Sequence, residues 1–140
     1  MVERGAKVNV VDNDGVTPLM AASVKGYSDI VLYLIDKGAN VNAKQNRGET
    51  ALIGAALVNQ IETSRVLLVK KADLNIQATD GYTALMVAAR NGNNDLVKLF
   101  LDKGADVTIK DKKGNTALYY AKLEKHPDII ALLQKSGAKE

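Results

Sequence analysis

The chain has 140 residues, 46% of them hydrophobic, enough to bury a substantial core; only 4% are aromatic, so that core must be built from Leu, Val, Ile and Ala. The absence of cysteine excludes disulfide frameworks, thiol nucleophiles and cysteine-type zinc sites, and a net charge of +3 is too modest for a typical nucleic-acid binder. With no basic-plus-apolar leader, no apolar run of about 18 residues and no Asn-x-Ser/Thr sequon, a soluble, cytoplasmic (intracellular) protein is expected.

In chain order, residues 2–12 read as the tail of a helical unit without its helices, containing the pair Gly5-Ala6. A complete unit then opens on Gly15-Val16-Thr17-Pro18-Leu19. Thr17 can cap a helix by accepting from its first free amides, and Pro18 sits where a helix tolerates proline best, so a short inner helix is predicted over 18–25, ending at Gly26. Asp29 then falls in the first turn of an outer helix, where the helix dipole favours a carboxylate. Ile30, Val31, Leu34 and Ile35 have the spacing of one helical face and are predicted to pack inward, before the unit closes on Gly38-Ala39.

The second unit repeats this plan, with Thr50 as cap, an inner helix over 51–58 ending at Asn59, and Glu62 opening the outer helix. It is the most eroded unit. Thr63 and Ser64 stand where large apolar residues belong, and Lys71 stands where glycine would relieve a left-handed turn, so this unit is expected to be the weakest of the array. The third has Thr83, a helix over 84–91 ending at Gly92, Asp95, the face Leu96, Val97, Phe100 and Leu101, and Gly104-Ala105. The fourth has Thr116, a helix over 117–124 stopping poorly at Lys125, then Asp128 and Gly137-Ala138. Lys122 replaces the small Ser23, Ala56 and Ala89 of the other units, and with Lys125, Gln134 and Lys135 it gives this unit the polar outer face of a C-terminal cap.

Gly15, Gly48, Gly81 and Gly114 are 33 positions apart, and Leu19, Leu52, Leu85, Leu118 and Ala22, Ala55, Ala88, Ala121 recur in the same phase. This pattern resembles the ankyrin repeat over residues 2–140. The resemblance implies an all-α fold: an ankyrin-repeat solenoid of stacked helix-turn-helix units with β-hairpin-like loops. The expected organisation is a single domain, 1–140, with a partial unit at 1–12 and repeats at about 13–45, 46–78, 79–111 and 112–140. One departure stands out. The family usually places histidine three positions after the threonine to tie neighbouring loops; Met20, Ile53, Met86 and Tyr119 stand there instead, so packing is expected to replace that polar tie.

Catalysis finds no support in the residues. The single histidine, His126, belongs to a His126-Pro127-Asp128 helix-entry turn and has no cysteine to join it. The glycines are turn formers rather than a phosphate loop, and the in-phase recurrence of acids makes Asp12 with Asp14, or Asp102 with Asp106, loop and cap residues rather than an acid-base pair. No cofactor, metal or small-molecule substrate is therefore expected. Lys110, Lys112, Lys113, Lys122 and Lys125 make the last unit basic, which reads first as a solvated rim and secondly as a contact for an acidic partner, phosphate or nucleic acid.

The resemblance further implies that another protein binds on a concave face lined by loop tips and by the exposed sides of the inner helices. The tips map to Asn13, Asp14 and Val16; Asn46, Arg47 and Glu49; Thr79, Asp80 and Tyr82; Lys112, Lys113 and Asn115. The inner-helix positions are Val24, Lys25, Leu57, Val58, Arg90, Asn91, Leu123 and Glu124. Val24, Leu57, Val58, Tyr82 and Leu123 are expected to face solvent beside Arg47 and Arg90, an apolar, aromatic and arginine mixture of the kind that anchors interfaces. The expected role is that of a monomeric adaptor or regulator. The alternatives are a non-catalytic segment of a larger enzyme or channel, used for assembly or localisation, and electrostatic docking to nucleic acid or anionic lipid.

Overall fold

The computed structural model describes residues 7–139, which places Gly5-Ala6 and much of the tail at 2–12 outside the described part. Within it the chain forms eight helices and no strand. They divide between two compact units, one reaching to Asp73 and the other starting at Leu74. The first contains α1 (Pro18–Lys25), α2 (Ser28–Asp36), α3 (Ala51–Leu57) and α4 (Ile61–Val69). The second contains α5 (Ala84–Asn91), α6 (Asn94–Asp102), α7 (Ala117–Leu123) and α8 (Pro127–Lys135).

Each inner helix starts because a threonine hydroxyl takes up an otherwise orphaned amide. Thr17, Thr50, Thr83 and Thr116 accept from the N–H groups of Met20, Ile53, Met86 and Tyr119 at 3.2–3.3 Å. Each stops where the backbone turns left-handed, at Gly26 and Gly92 with φ 77°, and at Asn59 (φ 58°) and Lys125 (φ 60°), where side chains are carried through the same turn. Asp29, Glu62, Asp95 and Asp128 all lie in the first turns of the outer helices.

Helices this short are marginal alone and are held by packing. In the first unit α1 packs on α3 and α2 on α4, around Leu19, Val31, Leu34, Leu52 and Leu67. In the second α5 packs on α7 and α6 on α8, around Leu85, Leu96, Phe100, Leu118, Ile129 and Leu133. Met20, Ile53 and Met86 are buried, as packing in place of a polar tie requires, whereas Tyr119 at the same register is 44% exposed.

The outer-helix faces differ from expectation in one respect. Ile30 is 47% exposed, and Ile35 and Leu101 are only half-buried. The register explains Ile30: its equivalent in the next repeat, Thr63, is buried and its hydroxyl meets that of Ser28 on α2 at 2.9 Å, so this position packs against the helix pair before it. Among the described residues no helix precedes α1.

The second repeat carries two identifiable costs. The Ser64 hydroxyl is buried without a hydrogen-bond partner, and Lys71 holds φ at 74°. Lys71→Gly is expected to stabilise the protein by about 1 kcal/mol, the left-handed penalty of a side chain less the extra backbone entropy that glycine loses. A chemical-denaturation midpoint that stays put or falls in the variant would contradict this account of the turn.

Candidate functional site

The loops that carry the tip residues are built alike in all four repeats. Asp12, Gln45, Ala78 and Asp111 each donate a backbone N–H across the tip, to the carbonyls of Val16, Glu49, Tyr82 and Asn115, at 2.9–3.1 Å. Neighbouring tips are tied within each unit: Asn46 N–H donates to the Asp14 carbonyl at 2.9 Å in the first, and Lys112 N–H to the Asp80 carbonyl at 3.2 Å in the second. Asp14 and Asp80 therefore serve partly as structural links. Asp12 likewise folds back on its own loop, its Oδ1 accepting from the N–H groups of Asp14 and Val16.

In the first unit, seven of the residues expected at the site line a single cleft of about 450 Å³: Val16, Val24, Lys25, Arg47, Glu49, Leu57 and Val58. Val24, Leu57 and Val58 are 41–49% exposed on its apolar side, while Arg47 and Glu49 face each other at 4.0 Å on the rim. Met20 and Gly54 also line it and were not among the expected residues. Gly54 has a spatial role. It lies inside α3, where glycine costs about 1 kcal/mol relative to alanine, and a Cβ there would approach Val24 Cγ2 to 3.1 Å, so the missing side chain keeps the cleft open beside Val24.

In the second unit the expected residues centre on Arg90. Its Nη1 donates to the Tyr82 hydroxyl at 3.0 Å, and its guanidinium carbon lies 5.9 Å from the centroids of both the Tyr82 and Tyr120 rings. The two rings are 5.3 Å apart, and Tyr119 meets Tyr120 edge-on at 5.2 Å. Tyr82 is therefore half-buried rather than facing solvent as expected, because it packs on a tyrosine that the sequence reading did not select. Asn91 and Leu123 are exposed at the ends of α5 and α7, and Lys112 and Lys113 are exposed on the last tip.

The base of this aromatic group is Asp111, buried at 6% exposure. Its Oδ1 accepts from the Lys113 and Asn115 N–H groups, both at 2.9 Å, and its Oδ2 accepts a short hydrogen bond from the Tyr120 hydroxyl. Burial alone would push this carboxyl up, but the Tyr120 hydroxyl, the two amides and the Lys113 charge outweigh it and hold the group below the usual carboxylate range. The same burial, together with the bond to Asp111, pushes the Tyr120 phenol well above its ordinary value, so it keeps its proton.

His126 has a comparable structural task. Its Nε2 lies 3.1 Å from the Arg90 carbonyl, linking the start of α8 to α5, as the Gln60 amide links to the Val24 carbonyl at 3.0 Å in the first unit. Among the described residues no group of three or more His, Cys, Asp or Glu residues is placed to hold a metal ion, and no helix is long and apolar enough to cross a membrane.

A family model for ankyrin repeats in three copies matches residues 1–78 and again 52–140, and the chain belongs to the ankyrin-repeat family. Ankyrin repeats are generally protein–protein interaction modules and typically non-catalytic. A comparison with curated proteins finds no match.

Proposed function

We propose that this chain recognises a partner protein through its loop tips and the exposed sides of its inner helices, in an adaptor or regulatory role and without catalysing a reaction. The observation that carries the reading is the Tyr82–Arg90–Tyr120 group, in which the exposed Arg90 and the half-buried Tyr82 are held against the buried Tyr120 ring where a loop and two inner helices meet. Tyr and Arg are the residue types that most often dominate binding energy, and here they are fixed in place before a partner arrives. The cleft of the first unit adds an apolar floor with a charged rim, the layout of an interface centre and its border. The module acts as a cytoplasmic monomer in this reading.

The test is to capture a partner from a native lysate, then measure its affinity for purified wild-type protein and for the Tyr82→Ala/Arg90→Ala double variant. The expected loss is about 2 kcal/mol or more, roughly thirtyfold, with the circular dichroism of the variant unchanged. A correctly folded double variant that binds the partner as well as wild type would overturn the proposal for this face.

A further inference from the structure

The two units build the same stretch of surface differently. Two repeats before Tyr120, Asp111, Tyr82 and Arg90, the equivalent positions hold Gly54, Gln45, Val16 and Val24, and all four line the cleft of the first unit. In the second unit the Tyr120 ring lies 5.3 Å from the Tyr82 ring and 5.9 Å from the Arg90 guanidinium carbon, with its hydroxyl on Asp111. In the first unit a glycine stands at the root of that ring, and a cleft of about 450 Å³ opens beside it.

The loop that receives the hydroxyl is preserved. Gln45 Oε1 accepts from the N–H groups of Arg47 and Glu49, as Asp111 Oδ1 accepts from those of Lys113 and Asn115. The second polar atom is used differently. Asp111 Oδ2 receives the Tyr120 hydroxyl, whereas Gln45 Nε2 reaches Glu49 Oε1 at 3.5 Å, the outer limit of a hydrogen bond. The first unit therefore keeps the polar end and the apolar walls of a tyrosine seat without a tyrosine of its own. Charge decides what stands beside the ring. Of the charged residues lining the cleft, Arg47 faces Glu49 at 4.0 Å, while Lys25 has no ion pair among the described residues, and a carboxylate is its complement.

We infer that this cleft receives a tyrosine of the partner protein, its ring over Gly54 against Val24 and Leu57 and its hydroxyl accepting from Gln45 Nε2, with an acidic residue next to it in sequence facing Lys25. A volume in the range of small-ligand sites admits the ring together with part of that neighbour. The inference deepens the protein-recognition reading and rests on it, and it makes Gly54 the residue that sets specificity in the first unit.

The probe is acetyl-aspartyl-tyrosine amide, titrated into isotope-labelled protein and followed by backbone amide shifts in NMR. Saturable shifts are expected at Val24, Gly54 and Leu57. The phenylalanine analogue should bind about threefold more weakly for want of the hydroxyl, and the alanine analogue at least about tenfold more weakly for want of the ring. Gly54→Tyr, which fills the cleft from within as Tyr120 fills its own surroundings, is expected to abolish binding. Gly54→Ala should weaken it at least about threefold while the denaturation midpoint holds or rises, alanine being the better helix former, and it keeps the test decisive if Gly54→Tyr does not fold. Lys25→Gln should lose about twofold to threefold. Tyr82→Ala/Arg90→Ala should retain full binding, which separates failure of this cleft from failure of the aromatic face. No saturable shifts in wild type, equal affinity for the alanine analogue, or undiminished binding by Gly54→Ala would each overturn the inference.

Discussion

Gly81→Ala is expected to cost about 3 kcal/mol, whereas Gly114→Ala, the same change one repeat later, costs about 1–2 kcal/mol. Both glycines are left-handed, at φ 90° and 83°, so both variants incur the steric penalty of a side chain in that region. Only Gly81 also meets a neighbour. A Cβ there would lie 2.7 Å from the Lys112 nitrogen and 2.8 Å from the Asp111 Cα, whereas at Gly114 there is nothing within 4 Å. The obstruction is backbone, so relief requires the two loops to part and the Lys112 N–H to leave the Asp80 carbonyl. Denaturation midpoints of the two variants measure the difference directly, and equal losses would show that this contact adds nothing. The same movement would displace Tyr82, so partner affinity should fall in Gly81→Ala and hold in Gly114→Ala.

The fold was legible in the sequence because a solenoid writes the same local instructions repeatedly. Threonine caps, acids in first turns and left-handed stops are local effects, and even the poor stops obeyed: Asn59 and Lys125 take the glycine conformation because packing of the helix pairs overrides their cost. The exposure of Val24, Leu57, Val58 and Leu123 was readable for the same reason, since register alone assigns a face. What could not be read was which side chains meet across repeats. Tyr120 and Asp111 were not singled out, because their bond joins positions whose equivalents elsewhere are Ala21, Gly54 and Val87, and Asp12, Gln45 and Ala78. A pairing that occurs in one repeat only leaves no periodic trace. Ile30 was misplaced by the opposite error: register assigned it inward, while burial there depends on a preceding helix pair.

Asp111→Ala should destabilise the protein by about 3 kcal/mol at neutral pH, because it strands two loop amides and the buried Tyr120 hydroxyl together. Asp12→Ala makes the equivalent change in an exposed loop with no tyrosine to satisfy, and should cost about 1 kcal/mol. Protonation gives an independent check. The Asp111 carboxyl is held lower in the folded chain than in the unfolded one, so its contribution is complete above the unfolded value near 3.9 and is lost as pH falls through the folded value below that. Wild type should therefore lead Asp111→Asn by a constant margin at neutral pH, and the margin should shrink on acidification below about pH 4. A margin that persists or grows in acid would mean that the ionised carboxylate is not what holds the loop. The consequence reaches the binding face, because Tyr120 is the ring on which Tyr82 packs and beside which Arg90 lies. With its hydroxyl fixed by Asp111, the aromatic group meets a partner with its rotamers already chosen, and the ordering cost that normally weakens such a contact has been met during folding.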